Sequence, residues 1–135
     1  NHHIFMADIY LSLPSLYTYM SKSELWEYEE LRELKIDAYI KSTKRYFLTL
    51  FDKYVPDFLL EYRVKQYIKF YHSDKWSDVF TSKKFPTVLF ILPNTQKLSI
   101  IRKAIKKSHP QFPISLTTAK EVQTKGFTTD IWEKL

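Results

Sequence analysis

Cysteine is absent from the 135 residues, so neither disulfides nor thiolate-bound metals can form, and a reducing interior is the simplest setting. Glycine occurs once, at Gly126. Phosphate-cradling loops need glycine where backbone must approach the anion, so P-loop and dinucleotide-binding turns are excluded, and the case for nucleotide-dependent catalysis goes with them. No apolar run approaches the roughly 18 residues needed to span a bilayer, and no signal-peptide pattern opens the chain. A soluble, cytoplasmic protein with no membrane partner is expected. The first residue, Asn1, is not methionine, which points to a fragment or a processed chain from which an N-terminal domain is missing.

What is present argues for a folded core. Hydrophobic residues make up 44% and aromatics 17% of the chain, too much for a disordered tail. The length fits one domain, residues 1–135. Lys and Arg number 21 against 15 Asp and Glu, a formal charge of +6. Such an excess favours acidic partners, nucleic acid first, because cations gain affinity by releasing counterions from phosphates; a merely solubilising surface is the alternative.

The order of elements can be followed by periodicity. "HHIFMADIYLSLPSLYTYM" has helical spacing through Ile4, Phe5, Ile9, Leu13, Leu16 and Tyr17, with Pro14 splitting it. "ELWEYEELREL" is ambiguous, and its aromatics favour a strand. "KIDAYIK" alternates Ile36, Ala38 and Ile40 against Asp37, Tyr39 and Lys41, and "RYFLTLFD" follows a short polar turn as its hairpin partner. Pro56 opens a helix whose buried stripe is expected at Phe58, Leu59, Tyr62, Ile68 and Tyr71. "FPTVLFILP" is apolar without alternation, the mark of a parallel strand covered on both faces. Next, "TQKLSIIRKAIKKS" is a basic amphipathic helix with Leu98, Ile101 and Ile105 inward and Thr95 as N-cap. A short strand at "FPISLTT" and a helical turn or two at "TTDIWEKL" complete the chain. The expected fold is α/β, a mixed sheet with helices on both faces.

The order α-β-β-β-α-β is also the core of the PD-(D/E)XK, or restriction-endonuclease-like, nucleases. The wording "HHIFMADIYLSL", "KIDAYI", "RYFLTLFDKYVPDFLLEYRVKQYIKFY" and "FPTVLFILPN" resembles the replication-relaxation family of plasmids and integrative elements, over Asn1 to about Ser108. The resemblance implies an upstream winged-helix DNA-binding domain, here absent, and partners among DNA and replication or transfer proteins. It also implies Pro-Asp where this chain has Ile36-Asp37 and a glutamate where it has Thr49. Lys65 and Tyr67 match a Lys and a Tyr on the family's helix, and His2-His3 matches a family feature, although a purification-tag remnant is the alternative source of the two histidines.

Phosphodiester cleavage with Mg²⁺ needs at least two hard oxygen ligands and usually a lysine. Asp37 supplies one, Lys65 completes the degenerate set, and Thr49 with Phe51 on the next strand supplies neither ligand nor proton carrier. Asp52 falls on the opposite face of a regular strand. Glu27 or Glu29 is the remaining source of a second carboxylate. The histidines, including His72 and His109, lack metal-ligand spacing, so no metal or other cofactor is expected, Mg²⁺ entering only if an active nuclease survives. Arg63, Lys65 and Lys69 interleave with Tyr62, Tyr67 and Tyr71, a mixture suited to phosphate contacts and base stacking. The nucleic-acid contacts expected are therefore Arg63, Lys65, Tyr67 and Lys69.

Three functions compete. The favoured one is a non-catalytic, nuclease-like, DNA-associated or assembly module of a mobile-element replication or transfer protein. The others are an active metal-dependent nuclease and a protein–protein scaffold whose exposed tyrosines and Trp26, Trp76 or Trp132 form a homodimer surface.

Overall fold

The computed structural model describes residues 2–80 and 84–135. Its elements are α1 (His2–Ser12), β1 (Thr18–Ser21), α2 (Lys22–Leu25), α3 (Glu29–Arg32), β2 (Ala38–Lys41), β3 (Arg45–Leu50), α4 (Asp57–His72), α5 (Lys75–Phe80), β4 (Thr87–Leu92), α6 (Thr95–Ser108), β5 (Ile114–Thr118), α7 (Ala119–Lys125) and β6 (Glu133–Lys134). The six strands form one mixed sheet in sequence order. β1, β2 and β3 run antiparallel in turn, β3, β4 and β5 are parallel, and β6 closes the far edge antiparallel to β5. The α/β class with a mixed sheet is as expected.

β4 lies between two parallel neighbours and is buried on both sides. Val88, Phe90 and Leu92 join one core with Leu60, Val64 and Tyr67 of α4 and with Leu98, Ile101 and Ile105 of α6. Leu89 and Ile91 face the other core, with Ile9 of α1 and Val122 of α7. The lack of alternation in "FPTVLFILP" thus has its physical cause, since both faces exclude water. Two successive crossovers that advance in the same direction with the same hand put their helices on the same face, here α4 and α6.

Four expectations are corrected. Helix α1 stops at Ser12, and Thr18–Ser21 becomes β1, pairing Thr18 with Lys41 and Tyr19 with Ile40. Pro14 cannot continue the ladder of helical N–H donors, and a β-branched threonine beside tyrosine suits the sheet edge. "ELWEYEELREL" is not a strand but the helical turns α2 and α3. The Ser-x-x-Glu pattern at Ser21 and Glu24 marks the first of them: the Ser21 N–H and hydroxyl both donate to Glu24 Oε1 at 3.0 Å. Arg32 then ties the turns together by donating from Nε to the Trp26 carbonyl at 2.6 Å.

Third, the buried stripe of α4 is Leu60, Arg63, Val64, Tyr67 and Phe70, while Phe58 and Tyr62 are exposed. Apolar residues surround this helix, so two stripes satisfy the 3.6-residue period and only packing against β3 and β4 selects one. Fourth, the C-terminal segment holds α7, ended by Gly126 at φ 94, and the strand β6 rather than a final helix. Arg102 of α6 fastens that strand through a bidentate pair with Glu133, both contacts at 2.6 Å.

Smaller shifts occur at two caps. Asn94, not Thr95, caps α6, its Oδ1 accepting from Lys97 N at 2.9 Å. Pro56 sits one position before α4, as its N-cap. Leu98, Ile101 and Ile105 face inward as expected. No helix among the described residues is long and apolar enough to cross a membrane.

Candidate functional site

Asp37 immediately precedes β2, beside the C-terminal end of β3, and is only 6% exposed. Its N–H donates to the Leu48 carbonyl at 2.8 Å. Its Oδ2 accepts from the Leu50 N–H at 2.7 Å, so the side chain extends the β2–β3 ladder by one rung where the backbone leaves it. Its Oδ1 accepts from His2 Nε2 at 3.0 Å, and His2 Nδ1 lies 3.8 Å from Asp52 Oδ1. An imidazole on α1 thus sits between two aspartates. Asp52 follows β3 after the strand has ended, which frees its side chain from the alternation expected of it.

Across from Asp37 on β3, one step beyond the Ala38–Leu48 pair, the position expected to carry glutamate is Thr49, buried, with its hydroxyl 3.5 Å from the Tyr67 hydroxyl. Tyr67 is fully enclosed, and burial pushes its phenol well above the usual range. Arg63 is enclosed with it. One guanidinium N–H donates to the Leu34 carbonyl, Nε has no hydrogen-bond partner among the described residues, and desolvation lowers its pKa from that of a free arginine.

This donor set does not fit Mg²⁺. Both oxygens of Asp37 are already engaged by hydrogen-bond donors, and the second expected ligand is a neutral hydroxyl turned toward a phenol. Among the described residues no group of three His, Asp or Glu side chains is arranged to hold a metal ion. Glu27 lies in the turn between α2 and α3 and Glu29 opens α3, so neither is on a strand, and Glu29 lines a cleft against α4.

The expected nucleic-acid face of α4 divides. Lys65 and Lys69 are exposed, whereas Arg63 and Tyr67 point inward and offer nothing to phosphate or base. The correction follows from the stripe that the sheet selects. Lys65 also cannot join Asp37 as a catalytic lysine, because it lines the cleft of about 470 Å³ between α3 and α4. In that cleft Lys65, Lys69 and Lys75 face Glu29, Glu30 and Glu33, so the charges cancel.

Other cations are accounted for more simply. Lys97 is paired with Asp57 and Arg102 with Glu133, while Lys106 and Lys107 lie at the C-terminus of α6, where the helix dipole favours positive charge. Trp76 is a core residue, its Nε1 donating to the Tyr71 carbonyl at 2.9 Å, and Trp132 is half-buried against Phe127. Of the three tryptophans only Trp26 is exposed, beneath the Arg32 and Lys35 side chains at 5.4 and 5.3 Å from its ring centre. Sequence reasoning missed the link from His2 to Asp37, which no spacing rule connects across 35 positions.

No family model, curated protein or solved structure matches this chain.

Proposed function

We propose that this chain is a non-catalytic, nuclease-like module that associates with DNA in a replication or transfer protein of a mobile element. The observation that carries the loss of catalysis is the Thr49–Tyr67 contact: where a metal-dependent nuclease would place an anionic ligand, two hydroxyls meet in a closed core. The nuclease-like ancestry is supported by the order α1-β1-β2-β3-α4-β4, with the short helices α2, α3 and α5 interposed and an aspartate immediately before β2. Its resemblance to the replication-relaxation family supplies the biological setting, and a cytoplasmic location fits that setting.

Association with DNA is supported by the charge of +6 and by the exposed lysines that remain after ion pairs are removed. Incubation with supercoiled and single-stranded DNA in Mg²⁺ or Mn²⁺ is expected to leave both intact. Titration of a labelled oligonucleotide is expected to show binding at low salt that weakens as salt rises. Metal-dependent nicking abolished by Asp37→Ala would overturn the loss of catalysis, and absence of binding at low salt would overturn the association.

An assembly role is favoured by one observation of its own. Tyr10 and Leu11 on the outer face of α1 are exposed, and Leu16 beyond it is 88% exposed. Apolar groups left in water at neighbouring positions mark a contact surface. Sedimentation equilibrium of the protein and of a Leu11→Lys, Leu16→Lys variant tests it: a dimer abolished in the variant supports assembly.

A further inference from the structure

The edge of the sheet opposite Asp37 carries a groove of about 570 Å³ where the parallel strands begin. Lys41, Lys44, Arg45, Lys84 and Lys134 line it, and among the described residues no Asp or Glu does. Four of these side chains are exposed and Arg45 is half-buried. Among the described residues Lys41, Lys44, Arg45 and Lys134 make no ion pair. The acidic side chain nearest Lys134 in sequence, Glu133, is held by Arg102. Ser42, Thr43 and Thr87 add hydroxyl donors to the lining.

The sheet sets the spacing of these cations. Lys41 ends β2 directly opposite Arg45 at the start of β3, Thr87 starts β4 opposite Tyr46, and Lys134 on β6 pairs with Ser115 of β5. The row therefore crosses five adjacent strands, and at about 4.8 Å per strand it extends roughly 19 Å. Successive phosphates of one stacked strand advance about 3.4 Å, so the row matches about five or six nucleotides. Like charges held in a line repel one another, and a polyanion of matching span relieves that repulsion.

We propose that this groove, and not the α4 face, is the site that binds the phosphodiester backbone of DNA. The inference rests on the DNA association proposed above and gives it a location. The contrast with the α3–α4 cleft favours the groove: there three lysines meet three glutamates, whereas here Lys41, Lys44, Arg45 and Lys134 meet no acidic side chain among the described residues. Half-buried Tyr46 in the same groove presents a ring to an unpaired base, so single strands and duplexes share the phosphate contacts and differ in stacking.

The test uses a labelled oligothymidylate of about twelve nucleotides and a duplex of equal length, titrated over a series of salt concentrations. Four phosphate contacts predict a slope of log affinity against log salt near −3 for the single strand and between −3 and −4 for the duplex. A Lys41→Gln, Lys44→Gln, Lys134→Gln variant is expected to flatten the single-strand slope by about two and weaken binding at least tenfold at low salt. A Lys65→Gln, Lys69→Gln variant is expected to bind as the parent does. These exposed substitutions leave the core untouched, and matching thermal melts check that they do.

If the parent binds while the groove variant binds unchanged, the location is wrong and the DNA association survives. If the α4 variant loses the salt dependence instead, the groove is likewise refuted. If polyglutamate displaces the oligonucleotide at equal charge concentration, the surface selects charge alone and the assignment to DNA falls. Absence of binding by the parent overturns both the location and the association.

Discussion

Thr49→Glu asks whether restoring a carboxylate also restores a site. Thr49 is 4% exposed and its hydroxyl lies 3.5 Å from that of Tyr67, so the larger side chain enters filled space. Overpacking of this kind costs about 1–3 kcal/mol. The charge adds a second term. A carboxylate denied water takes up a proton instead, and at 1.36 kcal/mol per unit from an ordinary glutamate pKa of about 4.3, this costs at most about 3.7 kcal/mol at pH 7. At pH 5 the same ceiling is about 1 kcal/mol. The loss therefore reaches up to about 7 kcal/mol at pH 7 and about 4 kcal/mol at pH 5, large against a typical total of about 5–15 kcal/mol.

The sign follows from proton counting. Between the unfolded pKa and the raised folded one, the folded variant binds more protons than the unfolded chain, so its stability falls as pH rises through that window. Urea denaturation followed by tryptophan fluorescence at pH 5 and pH 7 measures the difference. Thr49→Val serves as control, since it leaves the Tyr67 hydroxyl without its partner at a cost of about 1–3 kcal/mol and adds no titrating group. A Thr49→Glu variant as stable at pH 7 as at pH 5 would mean that the carboxylate reaches water or a cation, and the closed Thr49–Tyr67 site would be refuted. Stabilisation by Mg²⁺ accompanied by DNA nicking would refute it more directly, since Asp37 would then be available as a ligand.

Phe90→Ala removes a fully buried ring packed 5.3 Å from Phe51 and 5.6 Å from Tyr67, and is expected to cost about 3–5 kcal/mol in urea denaturation; a loss below about 1 kcal/mol would contradict the central position of β4. Arg102→Met frees β6 from α6. The hydrogen bond from Arg102 holds the Glu133 carboxyl below the usual carboxylate value, so the pair stabilises the fold above about pH 4.5 and that contribution fades as pH falls through the depressed pKa. Thermal melts of parent and variant should therefore differ by no more than about 1 kcal/mol at pH 7, as befits a half-exposed pair, and converge in acid; a difference that persists in acid would show packing, not charge, at that edge.

Where local sequence leaves one solution, it is legible. "FPTVLFILP" is too short and too uniformly apolar for anything but a strand covered on both faces, and Leu98, Ile101 and Ile105 define one buried stripe on a helix whose remaining positions are mostly polar. Where two solutions satisfy the same period, contacts from distant elements choose. α4 has apolar residues all round, so the sheet decided that Arg63 and Tyr67 turn inward and Phe58 and Tyr62 outward, which removed half of the expected DNA surface. β1 and β6 are strands of four and two residues, formed because a neighbouring strand offers backbone partners that no local signal announces. The neutral residue at Thr49 could be read from composition at one position. That Asp37 is occupied by His2 and Leu50, and that Lys84 and Lys134 join Lys41, Lys44 and Arg45 in one groove, could not: proximity between residues far apart in sequence is created by strand pairing and helix packing, and exists only once the sheet is assembled.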